Sequence, residues 1–546
     1  MRQPVIHETI ARHERWLLAA PLLLFALHVY WLNCIAEDAY ITYRYARHLA
    51  EGHGFVWNVG GPPVEGFTSF LWVVLCAAAY QIGLDPPRFT QWVGLLAGAT
   101  TLLYTYRFAR RILEVGAPSA LFATTLCAAA GPLATWAGSG METAFFGMGV
   151  LVALFHASRY AVSGATRDVA IAALSLFVAT LTRPEGFGVF AIVVAAAAVF
   201  ALTVRRGTGI RGLLLLLGIY LPLFVVYFAW RYQEFGYPLP NTFYAKTGGG
   251  FYQFRRGTVY SLYFAFHFFA PCLVWVIVPL MTWARRGTFH VDGWISDLQT
   301  SLRAQHGALL CAAVGLAYTG YIIAVGGDYM AMYRFFVPLV PLMYALTGIV
   351  VQHNVMLLFQ RIAGRRYWLA SMAALSLGGV AIHSTPVEAR LFAVTPGMHG
   401  NYRGVEVERW HVRRFFVIAA FFDREKASDQ DSLLTYDIGV TGYVLRMPIF
   451  DVLGIVDPAI AHQSNDRDRI GLGLAGHEKQ DLAYSFRKMP TFFMYTVQLR
   501  PAPADWPRLA EPLNQEVRRR YAKKSVWLED SENRERGYFT YLQRVS

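Results

Sequence analysis

The feature that most limits what this chain can fold into is a recurring apolar window, long enough to cross a bilayer and repeatedly closed by arginines. A hydrocarbon core about 30 Å thick calls for roughly 20 apolar residues in one helix, because backbone N–H and C=O groups find no water there. Such windows lie at 16–35, 90–108, 119–136, 143–158, 169–182, 186–204, 213–230, 260–283, 308–325, 335–351 and 368–383. They predict an α-helical polytopic membrane protein with about eleven transmembrane helices. A composition 55% hydrophobic and only 16% charged excludes a soluble fold of 546 residues. The run at 16–35 is too long for a signal-peptide core and lacks a small-residue cleavage site, so it reads as a retained anchor.

The formal charge of +13 comes from clusters at the ends of the apolar runs. These are Arg2, Arg12 and Arg15; Arg107, Arg110 and Arg111; Arg205, Arg206 and Arg211; Arg285 and Arg286; and Arg361, Arg365 and Arg366. That is positive-inside patterning and not a nucleic-acid face. With 70–83 taken as an interfacial helix, every cluster falls on the cytoplasmic side, and the remaining polar segments gather on the other. The exception is an outer loop made basic by Arg231, Lys246, Arg255 and Arg256 against Glu234, which requires an anionic partner or a different threading. Cys34, Cys76, Cys127, Cys272 and Cys311 lie in or beside apolar segments without a CxxC, so they read as small buried residues.

Beyond residue 383 charge rises and the apolar periods shorten. "SLLTYDIG", "MPIFDVLGIVD" and "PTFFMYTV" read as short strands, with helices around 410–422 and 515–524. The expected organisation is a membrane domain at 1–383, whose first outer loop at 36–89 carries the chemistry, and a soluble extracytoplasmic α/β domain at 384–546. There is no internal repeat and no pair of interrupted helices of the transporter kind.

Chemistry concentrates in the outer segments. Glu37 and Asp38 are adjacent carboxylates at the mouth of a span; two such groups do not both ionise easily, which holds one ready as a base, although an Asp before "AYITYRYA" is also a reasonable helix cap. Arg44 and Arg47, interleaved with tyrosines, suit an amphipathic helix in the headgroup plane, where they either grip a lipid phosphate or snorkel to bulk anionic lipid. In "GHGFVWNVGGPPVEGFTS", His53, Trp57, Asn58 and Glu65 offer a ring face and polar partners to a sugar, and the same Gly and Pro residues would serve a purely structural loop. "SGMET", "TRPEG" and "GGDYMAMYR" place Glu142, Arg183 with Glu185, and Asp328 with Arg334 at outer helix ends. Singly each is an interfacial ion pair, but together they converge on one face. "PNTFYAK" adds Asn241, Tyr244 and Lys246. A P-loop, GxSxG, HExxH and zinc-ligand spacing are absent.

At "EDAYITYRYARHLAEGHGFVWNVGGPPVEGFTSFLW" the chain resembles the GT-C superfamily of polyprenyl-phosphate-dependent glycosyltransferases, and within it the terminal arabinofuranosyltransferase family of the mycobacterial cell wall. The likeness continues through "SGMETAFF", "TRPEG", "FGYPLPNTFYAK", "GGDYMAMYRFFVPLVPL", "DIGVTGY", "IFDVLGIVD" and "GHEK". Glu37 stands where the family usually has a first Asp, which leaves open which acid is the base. The resemblance implies a sugar, arabinofuranose, carried on a polyprenyl phosphate, an acceptor glycan or protein outside the cytoplasmic membrane, and no resident cofactor, with a divalent cation as an optional aid. It implies catalysis at Asp38 and Glu37 and donor phosphate at Arg44, Arg47, Arg183, Lys246 and Arg334. Sugar or acceptor then falls to His53, Trp57, Asn58, Glu65, Glu142, Glu185, Asn241, Tyr244 and Asp328. Asp437, Asp451, Asp457, His477 and Glu478 in the outer domain read as turn residues. A protein O-glycosyltransferase or a lipid A-type sugar transferase shares the first-loop acid, and a flippase for a lipid-linked sugar is the non-enzymatic alternative.

Overall fold

The computed structural model describes residues 16–204, 206–267, 294–352, 402–463, 470–473, 475–530, 532 and 534–545. The expected span at 368–383, much of that at 260–283, Cys272, the division at 383/384 and most of the arginines expected on the cytoplasmic side fall outside the described residues. Among the described residues four helices are long and apolar enough to cross a membrane: Thr143–Ser163, Glu185–Thr203, Gly207–Phe235 and Gln305–Val325. A bent pair, Ala117–Ala128 and Gly131–Gly138, makes a fifth if taken as one broken span. The count of about eleven is therefore not reached there.

The shortfall has local causes. The window at 119–136 bends by 54° because Pro132 follows its break and cannot supply the N–H that would continue the first helix. The window at 335–351 begins as a 3₁₀ turn, Arg334–Leu339, containing Pro338, before the helix Val340–Val350. The window at 90–108 lies inside Pro86–Arg111, which is started by Asp85 accepting the Arg88 N–H at 3.3 Å and by a proline in its first turn. The expected interfacial segment forms the helix Phe70–Gln81. Phe25, Leu133, Trp136, Phe146, Leu154 and Val340 belong to the main apolar core of this helical part.

The C-terminal segment opens with the helix Tyr402–Glu425 and builds a five-stranded sheet. Strands β1 (Leu433–Thr435), β2 (Ile449–Asp451) and β3 (Phe492–Met494) lie where the sequence places them. β4 (Tyr521–Glu529) and β5 (Arg536–Arg544) form an antiparallel hairpin, giving the order β2-β1-β3-β5-β4 with β1 parallel to both neighbours. The helix expected at 515–524 ends at Arg520, since from Tyr521 the chain pairs residue by residue with Arg544 onward, and long-range pairing outweighs the helical preference of its lysines.

Alternation along the strands sends their side chains to two different cores. Leu433, Phe492 and Tyr541 pack with Tyr40, Tyr45 and Trp57 of the first outer loop. Leu434, Phe493 and Leu542 pack within the C-terminal segment itself. The helix Ala39–Ala50 is thus enclosed between the membrane helices and the sheet, with ten of its twelve residues buried, and it does not lie free on a headgroup plane.

Candidate functional site

Asp38 immediately precedes the helix Ala39–Ala50, but its side chain makes no capping bond. Among the described residues its carboxylate has neither hydrogen bond nor ion pair, which removes the helix-cap reading and leaves an acceptor facing open space. That space is a cavity at one end of the long helices, lined also by Thr42, Glu142, Arg183, Glu185, Lys246, Asp328 and Arg334. Three short segments at helix ends bring these groups together. Arg183 follows Thr166–Thr182 and pairs with Glu142 at 2.7 Å and Glu185 at 2.8 Å. Arg334 lies 2.6 Å from Asp328 and stacks over Trp136 and Phe335 at 5.5 and 5.1 Å.

Backbone geometry aims that last pair. Gly326 and Gly327 adopt φ of +87° and +69°, and a Cβ on Gly327 would meet Tyr260 at 2.7 Å, so the turn demands glycine twice over. Met332 and Tyr333 also sit at positive φ, +55° and +49°, an arrangement uncommon for such side chains that turns Arg334 back toward Asp328.

The three cations differ in what they have left to offer. Arg183 faces two carboxylates and Arg334 one, whereas Lys246 has no partner among the described residues. Arg256, which the motifs did not single out, also lines the cavity; Glu478 at 3.0 Å and the carbonyls of Gly326 and Gly473 occupy it. Thr242, one helical turn before Lys246, is buried with its hydroxyl unpaired against the same space. Arg256 was legible only as one charge of a basic loop and Thr242 carried no signal, because each gains its place only when "PNTFYAK" folds as the short helix Asn241–Lys246 and Phe251–His267 follows it.

A second cavity of about 350 Å³ adjoins the first and shares Asp38, Ile41, Lys246, Tyr329 and Ile455 with it. Its further walls include Glu37, Glu408, His411, Tyr436, Asp437 and His477. Glu37 is buried; its carboxylate accepts the Val440 N–H at 3.0 Å, and its own N–H donates to Glu408 at 2.9 Å. Burial, then the charges of Asp437 and Asp38, push the Glu37 carboxyl well above its ordinary value. Burial also raises Glu408. His411, 3.3 Å from Asp437, is held toward its charged form, because that carboxylate outweighs the opposing effect of burial.

Several sequence-predicted ligands lie elsewhere. Arg44 and Arg47 are turned away from Asp38 into the C-terminal segment, so their assignment to donor phosphate is corrected. Arg44 donates to the carbonyls of Trp57, Gly442, Leu445 and Met447 and to Asn58 Oδ1, at 2.6–3.3 Å; Arg47 donates to the Tyr443 and Gly442 carbonyls. Trp57 and Asn58 are not free for sugar either, since both donate to the Ile449 carbonyl and Asn58 also accepts the Ile449 N–H. Glu65 is spent on a buried pair with Arg231, and Asn241 on the Gly454 and Ile455 carbonyls. Tyr244 packs on His462 with ring centroids 4.1 Å apart, and exposed His53 lies 3.8 Å from Glu51. Neither lines either cavity.

In the C-terminal segment Asp451 accepts the Leu453 and Val456 N–H groups and Asp457 that of Ala459, which is turn chemistry. Glu478 likewise accepts from Gly471 and Gly473, at 2.6 and 2.9 Å. Asp437 and His477, read as turn residues, instead wall the second cavity. Among the described residues no group of three or more His, Cys, Asp or Glu side chains is arranged to hold a metal ion.

The fold and this geometry can be set beside known proteins. A family model described as a domain of unknown function, DUF8728, matches residues 401–541. No curated protein matches the chain in sequence. ArnT from Cupriavidus metallidurans, solved bound to undecaprenyl phosphate, aligns over 97% of this chain and 98% of its own, with a TM-score of 0.53 at 15% identity. The oligosaccharyltransferase AglB from Archaeoglobus fulgidus aligns over 81% of this chain and 65% of its own, at a TM-score of 0.46 and 14% identity. The arabinosyltransferase EmbB from Mycobacterium smegmatis reaches a TM-score of 0.37 at 14% identity, over 82% of this chain and 41% of its own. The ArnT alignment shows that the chain shares the fold of ArnT, and its long apolar helices fit a multi-pass membrane protein.

Proposed function

We propose that this protein is a membrane glycosyltransferase that moves a sugar from a polyprenyl-phosphate donor onto an acceptor of the cell envelope. The observation that carries the reading is the Asp38 carboxylate, unpartnered among the described residues, facing a cavity that also holds the Lys246 ammonium, likewise unpartnered among them. One is a base without another task, the other a cation without a counter-ion, and both border one space in a fold shared with ArnT, which was solved bound to undecaprenyl phosphate.

In this mechanism the acceptor hydroxyl oxygen attacks the anomeric carbon while Asp38 takes its proton. The bond from that carbon to the phosphate oxygen breaks, its electron pair stays on the phosphate, and polyprenyl phosphate leaves with inversion through an oxocarbenium-like transition state. The leaving phosphate needs no proton but does need positive charge, and Lys246 supplies it undiminished. Arg183 and Arg334, each fixed by carboxylates, contribute oriented N–H donors in place of net charge. Glu37 is a neighbour that holds the Asp38 segment in position through Val440 and Glu408.

Arabinofuranose is the proposed sugar, on the strength of the first-loop resemblance, and the site is proposed to face outward from the bacterial cytoplasmic membrane. A flippase for the same lipid would have no use for a free base at Asp38, which makes one experiment decisive. Purified protein incubated with polyprenyl-phosphoryl arabinofuranose and envelope extract should release polyprenyl phosphate, and Asp38→Asn should lower that rate by about 10²–10⁴-fold. A fully active Asp38→Asn enzyme would sink the assignment of the base.

A further inference from the structure

Asp38 faces two spaces at once, and the two differ in what they can bind. We infer that the second cavity is the acceptor subsite, built largely by the segment of unknown function at 401–541, and that it takes a neutral polyhydroxylated glycan in preference to a phosphorylated one. The inference rests on Asp38 being the base of a glycosyl transfer.

An inverting displacement needs its acceptor and its leaving group on opposite sides of the anomeric carbon, with the base on the acceptor's side. Two cavities meeting at Asp38 meet that requirement if the donor phosphate occupies the one holding Arg183, Arg334 and Arg256. The acceptor then enters by the other, whose volume of about 350 Å³ lies within the range of small-molecule sites, roughly 300–1,000 Å³.

The walls of that second space decide the class of acceptor. Its charged donors are Lys246, at the seam with the first cavity, and His411, already tied to Asp437. The rest of the polar lining consists of carboxyls, phenols and an imidazole, Glu408 and Tyr436 among them. One oxygen of Glu408 is used by the Glu37 N–H. Burial favours the protonated forms of Glu37 and Glu408, which both donate and accept, as sugar hydroxyls do. The Tyr329 and Tyr436 rings add apolar faces on which a sugar ring can stack. A phosphate there would meet the Asp437 carboxylate with no arginine lining the cavity to pair it, and like charges brought together oppose binding.

The test uses full-length protein in nanodiscs, the polyprenyl-phosphoryl donor, and two acceptors: a neutral alkyl disaccharide and the same disaccharide carrying a phosphate monoester. The neutral acceptor should have kcat/KM about tenfold or more above the phosphorylated one. Tyr436→Ala should raise KM for the neutral acceptor by about tenfold, while donor KM and slow transfer to water stay unchanged, and Tyr436→Phe, which keeps the ring, should stay near wild type. Tyr436 holds no hydrogen bond among the described residues, and if Tyr436→Ala fails to fold, the wild-type comparison of the two acceptors still decides the inference. Preference for the phosphorylated acceptor, or equal losses toward donor and acceptor, overturns the inference while leaving the transferase standing. Absence of donor turnover by wild type, to water included, overturns the transferase reading and this inference with it.

Discussion

Arg44 and Asp38 lie within two helical turns of each other and have opposite work. The Arg44 guanidinium is buried to 1% exposure with no carboxylate against it, and the carbonyls of Trp57, Gly442, Leu445 and Met447 neutralise its field. A planar fork with five donors can serve several acceptors at once, whereas a lysine ammonium cannot reproduce that geometry. Arg44→Ala should therefore cost about 3–5 kcal/mol, and Arg44→Lys should recover only part of it, read as thermal unfolding in detergent. Asp38→Asn, at a side chain that bonds nothing, should unfold within about 0.5 kcal/mol of wild type while losing turnover. Two residues equally prominent in one motif would then separate cleanly, one failing in stability and the other in rate.

At the scale of elements, the contact that matters is between the start of the first-loop helix and the segment Gly439–Val444. A Cβ on Gly439 would lie 2.1 Å from the Glu37 carbonyl oxygen, so backbone meets backbone and neither side has a rotamer to yield. Gly439→Ala should push this segment off Glu37, costing roughly 1–3 kcal/mol as other overpacked cores do, and should lower turnover by displacing Asp38. Gly188→Ala, where a Cβ meets nothing within 4 Å, is the control expected to leave both unchanged. The pattern of apolar residues foretold β1, β2 and β3, and also that a helix would follow Asp38. It did not foretell the β4–β5 hairpin, because "RRRYAKK" carries a helical composition that only its partner strand overrides.

For the molecule as a whole, the arrangement is a helical membrane body with a sheet seated on its first loop, so that the cavities lie between the two. Exposed Lys524, on the edge strand β4, tests the proposed orientation. Among the described residues Cys34, Cys76, Cys127 and Cys311 are buried, so in a Cys272→Ser background Lys524→Cys in intact cells should react with a membrane-impermeant maleimide far above the protein lacking that cysteine. Reaction only after permeabilisation would place the sheet, and the site with it, in the cytoplasm.

The sequence by itself determined the solvent of this protein and the order of its polar segments, because apolar length and arginine placement are local properties readable in a single window. It also marked Asp38, Arg183, Lys246 and Arg334 as groups sharing one face. Only tertiary structure decided which charges remain free. Arg44, Trp57 and Asn58 sit in the most recognisable motif, yet their partners lie near residue 445, about 400 positions along the chain. A hydrogen-bonding group looks the same in sequence whether it awaits a substrate or has been claimed by a distant carbonyl, and that choice is made when the sheet docks on the first loop.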